Sequence, residues 1–158
     1  WELYVYDSVA GTTTAVASAN LNSSGSTSPA YMHALDGKLY FRGTDGSENE
    51  LYVFNPEMGA TSKVDSANKN SSGGTDPSFM QALDGKLYFS GTDDGLEYEL
   101  YVYDPDTGAT TAVASADKNS SGSTYPVYMQ ALDGKLYFTG NDGSEPELYV
   151  YFPDDLTA

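Results

Sequence analysis

Three short stretches gather carboxylates at matching intervals: Asp45, Glu48 and Glu50; Asp93, Asp94, Glu97 and Glu99; Asp142, Glu145 and Glu147. Oxygen-rich sets of this kind suit a hard cation, and calcium is the ion they would take, with Asp45, Glu48, Asp93, Asp94, Glu97, Asp142 and Glu145 as candidate ligands. The spacing fits no EF-hand loop and the second set sits in a longer stretch, so solvated turn residues are the competing reading. Paired carboxylates also serve glycoside hydrolysis. That chemistry needs two different environments to separate two pKa values, whereas near-identical loops supply the same surroundings three times. No catalytic residue is assigned, and the chain is expected not to be an enzyme.

Other side chains recur with the same interval. Asn22, Asn70 and Asn119 each open Asn-Ser-Ser, an acceptor sequon for N-glycosylation and equally the composition a turn requires. Tyr4, Tyr52, Tyr101 and Tyr149, with Tyr40, Tyr88 and Tyr137, could form repeated sugar-binding platforms; their alternation along strands argues first for packing between sheets. His33 is the sole histidine, and Gln81 and Gln130 hold the matching positions, which leaves no triad or metal role for it.

These residues are carried by an internal repeat. Glu-Leu-Tyr-Val begins at Glu2, Glu50, Glu99 and Glu147, at spacings of 48, 49 and 48, and Asp36, Asp84 and Asp133 open Asp-Gly pairs 48 and 49 apart. A period of roughly 40 to 50 residues marks a repeat architecture, in which the core forms between neighbouring units. Each unit reads as four strands. Residues 31–35 (YMHAL) and 38–41 (KLYF) flank Asp-Gly, the strongest short-range hairpin signal. Residues 2–6 (ELYVY) and their counterparts alternate with the period of a strand, and a tight turn of the type Asp-Pro-Asp-Thr-Gly then leads into a short Thr- and Val-rich strand over residues 12–18, 61–66 and 110–115. Polar links at 20–29, 68–77 and 117–126 carry the chain from one sheet to the next.

The hairpin predicts a register of Leu35 opposite Lys38, Ala34 opposite Leu39, His33 opposite Tyr40, Met32 opposite Phe41 and Tyr31 opposite Arg42. Opposed residues share a face. Met32, Ala34, Leu39 and Phe41 thus form an apolar face, and a mixed, Tyr-bearing face packs against the next sheet.

Composition removes several classes of partner. With 23 acidic against 7 basic residues the net charge is -16, which repels phosphate backbones, so neither nucleic acid nor an anionic membrane is an expected partner. No apolar run is long enough to insert in a membrane, and with no cysteine there are neither disulfides nor thiolate sites. The acidic, Ser/Thr/Asn/Gly-rich composition leans toward an extracellular or cell-surface location. The start at Trp1, without a visible signal peptide, suggests a processed product or a window cut from a longer array.

The stretches LDGKLYF at Leu35, Leu83 and Leu132, Gly-Thr-Asp-Gly or Gly-Asn-Asp-Gly at Gly43 and Gly140, and the following ELYV resemble the ELWxxDGT-type repeats of large bacterial secreted and surface proteins. The family's Trp is here Tyr52, Tyr101 or Tyr149, and its Asp-Gly-Thr is Asn55-Pro56, Asp104-Pro105 or Phe152-Pro153. The resemblance implies propeller-like blades in a non-catalytic extracellular module and transfers no active site.

The expected fold is all-β: three tandem repeats of about 49 residues, each a four-stranded antiparallel propeller-like blade, circularly permuted at the termini. The units are 1–29, 30–77, 78–126 and 127–158, the first and last partial. Three blades fall short of the usual four to eight. Self-association is therefore expected, into an array, a filament or a completed ring, through the end strands Leu3, Tyr4, Val5, Tyr6 and Leu148, Tyr149, Val150, Tyr151. A multivalent carbohydrate-binding module, calcium-dependent or not, is the alternative.

Overall fold

A computed structural model of the chain describes residues 1–153; residues 154–158 of the last expected unit lie outside the described residues. Four antiparallel sheets follow one another along the chain. The first holds β1 (Tyr4–Asp7) and β2 (Thr12–Ala15). The second is a meander of β3 (Ala30–Leu35), β4 (Lys38–Thr44), β5 (Asn49–Asn55) and β6 (Ala60–Lys63). The third repeats it with β7 (Ser78–Leu83), β8 (Lys86–Thr92), β9 (Tyr98–Asp104) and β10 (Ala109–Ala112). The fourth has β11 (Val127–Leu132), β12 (Lys135–Asn141) and β13 (Pro146–Tyr151). Among the described residues the only helices are single 3-10 turns at Ala17–Ala19, Asp65–Ala67 and Ala114–Ala116, and none is long and apolar enough to cross a membrane.

The Asp-Gly hairpins set the expected pairing close to the turn, where Leu35 faces Lys38, Ala34 faces Leu39 and His33 faces Tyr40. Beyond that the register shifts, so Ala30 faces Arg42, and the predicted pairs of Met32 with Phe41 and Tyr31 with Arg42 do not form. The cause is a bulge. Tyr31, Phe79 and Tyr128 take positive φ of 51°, 50° and 53°, a backbone region that bulky residues seldom enter. The expected Thr-rich strands are also shorter than predicted: β2 stops at Ala15 because Ala17–Ala19 turns into a 3-10 helix.

The core lies between sheets. Leu35, Tyr40 and Leu51 of the second sheet pack with Met80, Leu87, Phe89 and Tyr101 of the third. One sheet later Leu83, Tyr88 and Leu100 meet Met129, Leu136 and Phe138. At the start, Leu3 and Ala19 pack on Phe41 and Tyr52. The Tyr-bearing face of each sheet thus meets the apolar face of the next, as expected. Fully burying a Leu or Phe is worth about 1.5–3 kcal/mol relative to exposure, so these junctions hold the array together.

Candidate functional site: the terminal sheets and the repeated loops

Leu51 and Leu100 are 0% and 1% exposed inside their junctions, but Leu148, in the same place on the fourth sheet, is 74% exposed. Val150 and Leu132 beside it are exposed as well. At the other end Tyr4, Tyr6 and Met32 stand open, at 60%, 65% and 54%, where Tyr52, Tyr101 and Met80 are buried. Of the expected interface residues, Tyr4, Val5, Tyr6, Leu148 and Val150 are therefore available. Leu3 is buried against the second sheet, and Tyr149 and Tyr151 pack against the third.

The open N-terminal face holds a cleft of about 330 Å³, lined by residues including Leu3, Val5, Ala34, Leu39 and Phe54. The interior junctions show what fills such a place. There the Tyr40 ring stands 5.8 Å from Tyr103, and the Tyr88 ring 5.8 Å from Tyr151, with Ala82 and Ala131 beside them. Phe54 is the counterpart of Tyr103 and Tyr151, and the preceding sheet, which among the described strands has only β1 and β2, lacks the strand that carries Tyr40 and Tyr88 in the second and third sheets.

The loop carboxylates act first as turn acceptors. Asp45 Oδ1 accepts from the Ser47 hydroxyl at 2.6 Å and its N–H at 3.0 Å; Asp142 repeats this with Ser144. Asp94 accepts from the N–H groups of Leu96 and Glu97 at 2.7 and 2.9 Å and from the Thr92 hydroxyl. The Ser47 hydroxyl and then its N–H lower the pKa of Asp45, and the N–H groups of Glu97 and Leu96 lower that of Asp94. Among the described residues no group of three or more His, Asp or Glu is placed to hold a metal ion. Asp93, Glu48, Glu97 and Glu145 lie on the same loops.

The three sequon asparagines brace the links. Asn22, Asn70 and Asn119 each accept on Oδ1 from the N–H and hydroxyl of the serine two residues on, and each donates through Nδ2 to a link carbonyl, of Ser26, Gly74 and Ser123. Asn70 is buried.

Sequence reasoning missed two devices. Thr27, Thr75 and Thr124 are fully buried, and their hydroxyls accept from the N–H groups of Leu21, Lys69 and Lys118 at 2.8, 2.7 and 2.8 Å, closing each link. Their repetition at one place was the available signal. The second device is a pair of matching glutamates, Glu50 buried and Glu99 half-buried. Glu50 lies 3.5 Å from Lys63 Nζ; burial raises its pKa, and Lys63 opposes the rise. In the next sheet Ala112 stands where Lys63 did. Burial there pushes Glu99 up to about 7, although the Thr124 N–H donates to it at 3.2 Å.

Tyr40, Tyr52, Tyr88 and Tyr101 are buried between sheets, so they present no platform to solvent. The aromatic row that does reach the surface is Tyr31, Phe79 and Tyr128, with centroids 5.4 and 5.6 Å apart and Arg42 4.8 Å above Tyr31. Its rings belong to the three bulges, which strict alternation does not reveal.

No protein-family profile matches the chain, and no curated protein is similar in sequence. Among solved structures, TolB from Acinetobacter baumannii superposes with a TM-score of 0.66 at 14% identity, covering 98% of this chain and 35% of TolB. The tricorn protease aligns at a TM-score of 0.38 and 13% identity, over 97% of this chain and 20% of its own. The likeness to TolB, with the succession of antiparallel sheets, identifies the fold as β-propeller-type.

Proposed function

We propose that the chain is a non-catalytic structural module of an extracellular or cell-surface protein, built of three tandem units of about 49 residues, that joins end to end with sheets like its own. One observation carries the reading: the two terminal sheets expose the same residue types that interior sheets bury against each other, Leu148 against Leu100 being the sharpest contrast. An apolar face of this kind is a site for association. Sedimentation velocity over a range of concentrations tests it. The wild-type chain associates, and Tyr4→Asp with Tyr6→Asp, both at exposed positions, leaves a folded monomer; a wild-type chain that stays monomeric overturns the reading.

A second reading, a carbohydrate-binding surface with or without calcium, is favoured by the row of Tyr31, Phe79 and Tyr128, whose two end rings are exposed. Aromatic faces with a polar neighbour such as Arg42 suit sugar rings. Titration with neutral oligosaccharides, followed by tyrosine fluorescence with and without calcium, checks it, and Tyr128→Ala removes the response.

A further inference from the structure

Residues 2–6 and 147–151 are the same five residues, ELYVY. The second copy forms most of β13 and lies on β12, with Tyr137 opposite Val150 and Leu136 opposite Tyr151. The first copy includes most of β1, which among the described strands pairs only with β2, leaving its other edge open. In the complete sheets the strand at this place always has β4 or β8 on one side and β6 or β10 on the other. The N-terminal hairpin therefore holds the third and fourth strands of a sheet, and β11 with β12 holds the first and second.

We propose that two copies of this chain close into one six-sheet ring by exchanging strands. The open edge of β1 in each copy pairs with β12 of the other and displaces β13, giving a mixed sheet in the order β11, β12, β1, β2. This rests on the joining of like sheets proposed above and specifies its geometry.

Three features of the chain select this arrangement. Identity of the two segments means β1 and the residues before it reproduce on β12 five of the six cross-strand pairs that β13 makes, Tyr137 opposite Val5 and Leu136 opposite Tyr6 included, with Trp1 in the place of Pro146. β1 also brings the fourth strand that β13 lacks. Second, the exchange carries Tyr137 of the second copy over Phe54, Ala34 and Leu39, where it fills the cleft as Tyr40 and Tyr88 fill theirs. Leu3 already sits in its junction, so the hairpin docks without being rebuilt. Third, each copy contributes two complete sheets and one mixed sheet, so n copies give 3n sheets, and of the multiples of three only six lies within the roughly four to eight that rings accommodate.

Two variants test the exchange. Deleting residues 146–158 removes the competitor strand, so the shortened chain associates more tightly than the full chain, at twice its own mass. If the ends merely stack with β13 in place, the same deletion abolishes association. Since the deletion could unfold the fourth sheet, the second variant keeps the full chain and introduces Val5→Cys with Tyr137→Cys. These positions come within about 4.5–5.5 Å across a β1–β12 pair, suitable for a disulfide. Mild oxidation yields a covalent dimer in the cysteine-free background. Association without this crosslink, or a folded shortened chain that is monomeric, overturns the exchange while leaving end-to-end joining intact. Failure of the wild-type chain to associate at all overturns both, and particles larger than a dimer overturn the ring.

Discussion

His33 Nε2 accepts a hydrogen bond from the backbone N–H of Ala82 at 3.0 Å, tying β3 of one sheet to β7 of the next. Only a neutral imidazole can accept there. Burial lowers the His33 pKa below 6.5, in the direction that keeps the acceptor neutral. An unfolded chain takes up a proton below pH 6.5 that the folded chain resists, so this contribution is complete above that value and is lost as pH falls through the folded pKa. His33→Ala removes about 0.5–1.5 kcal/mol at pH 8 and flattens this acid limb. Urea denaturation at pH 8 and pH 5 measures both effects.

Glu99 acts with the opposite sign. Burial first, then Asp117, holds its folded pKa up at about 7, against 4.5 in an unfolded chain. The folded state therefore binds a proton that the unfolded state has released, and stability declines as pH rises from 4.5 to 7. Glu99→Gln retains an oxygen for the Thr124 N–H and abolishes the charge. It raises the urea midpoint at pH 8 and leaves the midpoint at pH 4.5 nearly unchanged. Glu50 retains a smaller slope of the same sign, because Lys63 opposes the effect of burial.

Thr75 closes its link with one hydroxyl. Thr75→Val keeps the buried volume and strips the acceptor from the Lys69 N–H, which costs about 1–3 kcal/mol for an unmet buried donor. Thr124→Val costs more, since that hydroxyl serves Lys118 as acceptor and also donates to Asp117 at 3.2 Å. Thermal unfolding of the two variants side by side checks the order.

The parts of this fold legible from sequence are those fixed by local chemistry. Asp36-Gly37 sets a two-residue turn because both residues need positive φ, and the pairs nearest the turn follow from it. The recurrence of ELYV gives the order of the sheets. Tyr31 was not legible as a bulge, because nothing local drives a tyrosine to positive φ; the surrounding packing imposes it. The burial of both faces of an interior sheet, with Tyr40 on one side and Phe41 on the other, follows from the apolar and Tyr-bearing faces that the alternation defines. The role the structure gives the carboxylate loops was not legible for a related reason: Asp45 and Asp142 have the composition of a cation site, and that each closes a turn with a serine shows only in the geometry. The identical segments at residues 2–6 and 147–151 need no coordinates to be noticed, whereas the packing of Leu3, Tyr149 and Tyr151 against neighbouring sheets does.

Gly91 shows how tightly link and sheet are fitted. A Cβ there would stand 2.8 Å from Thr75 Cγ2 and 3.2 and 3.3 Å from the Phe89 and Tyr101 rings. The backbone is not in the left-handed region, so any penalty comes from crowding alone. Gly91→Ala therefore destabilises by about 1–3 kcal/mol, the usual cost of overfilling a packed core. Its tightest contact is a methyl group, which Thr75→Ser removes while keeping the hydroxyl that holds Lys69. The double variant, Gly91→Ala with Thr75→Ser, regains part of the loss, so a double-mutant cycle returns a favourable coupling between the two substitutions. Additive losses would show that the aromatic rings, rather than Thr75, set the limit. At Gly140 the nearest contact is 3.1 Å, on the sheet whose outer face is open, so Gly140→Ala costs less than Gly91→Ala.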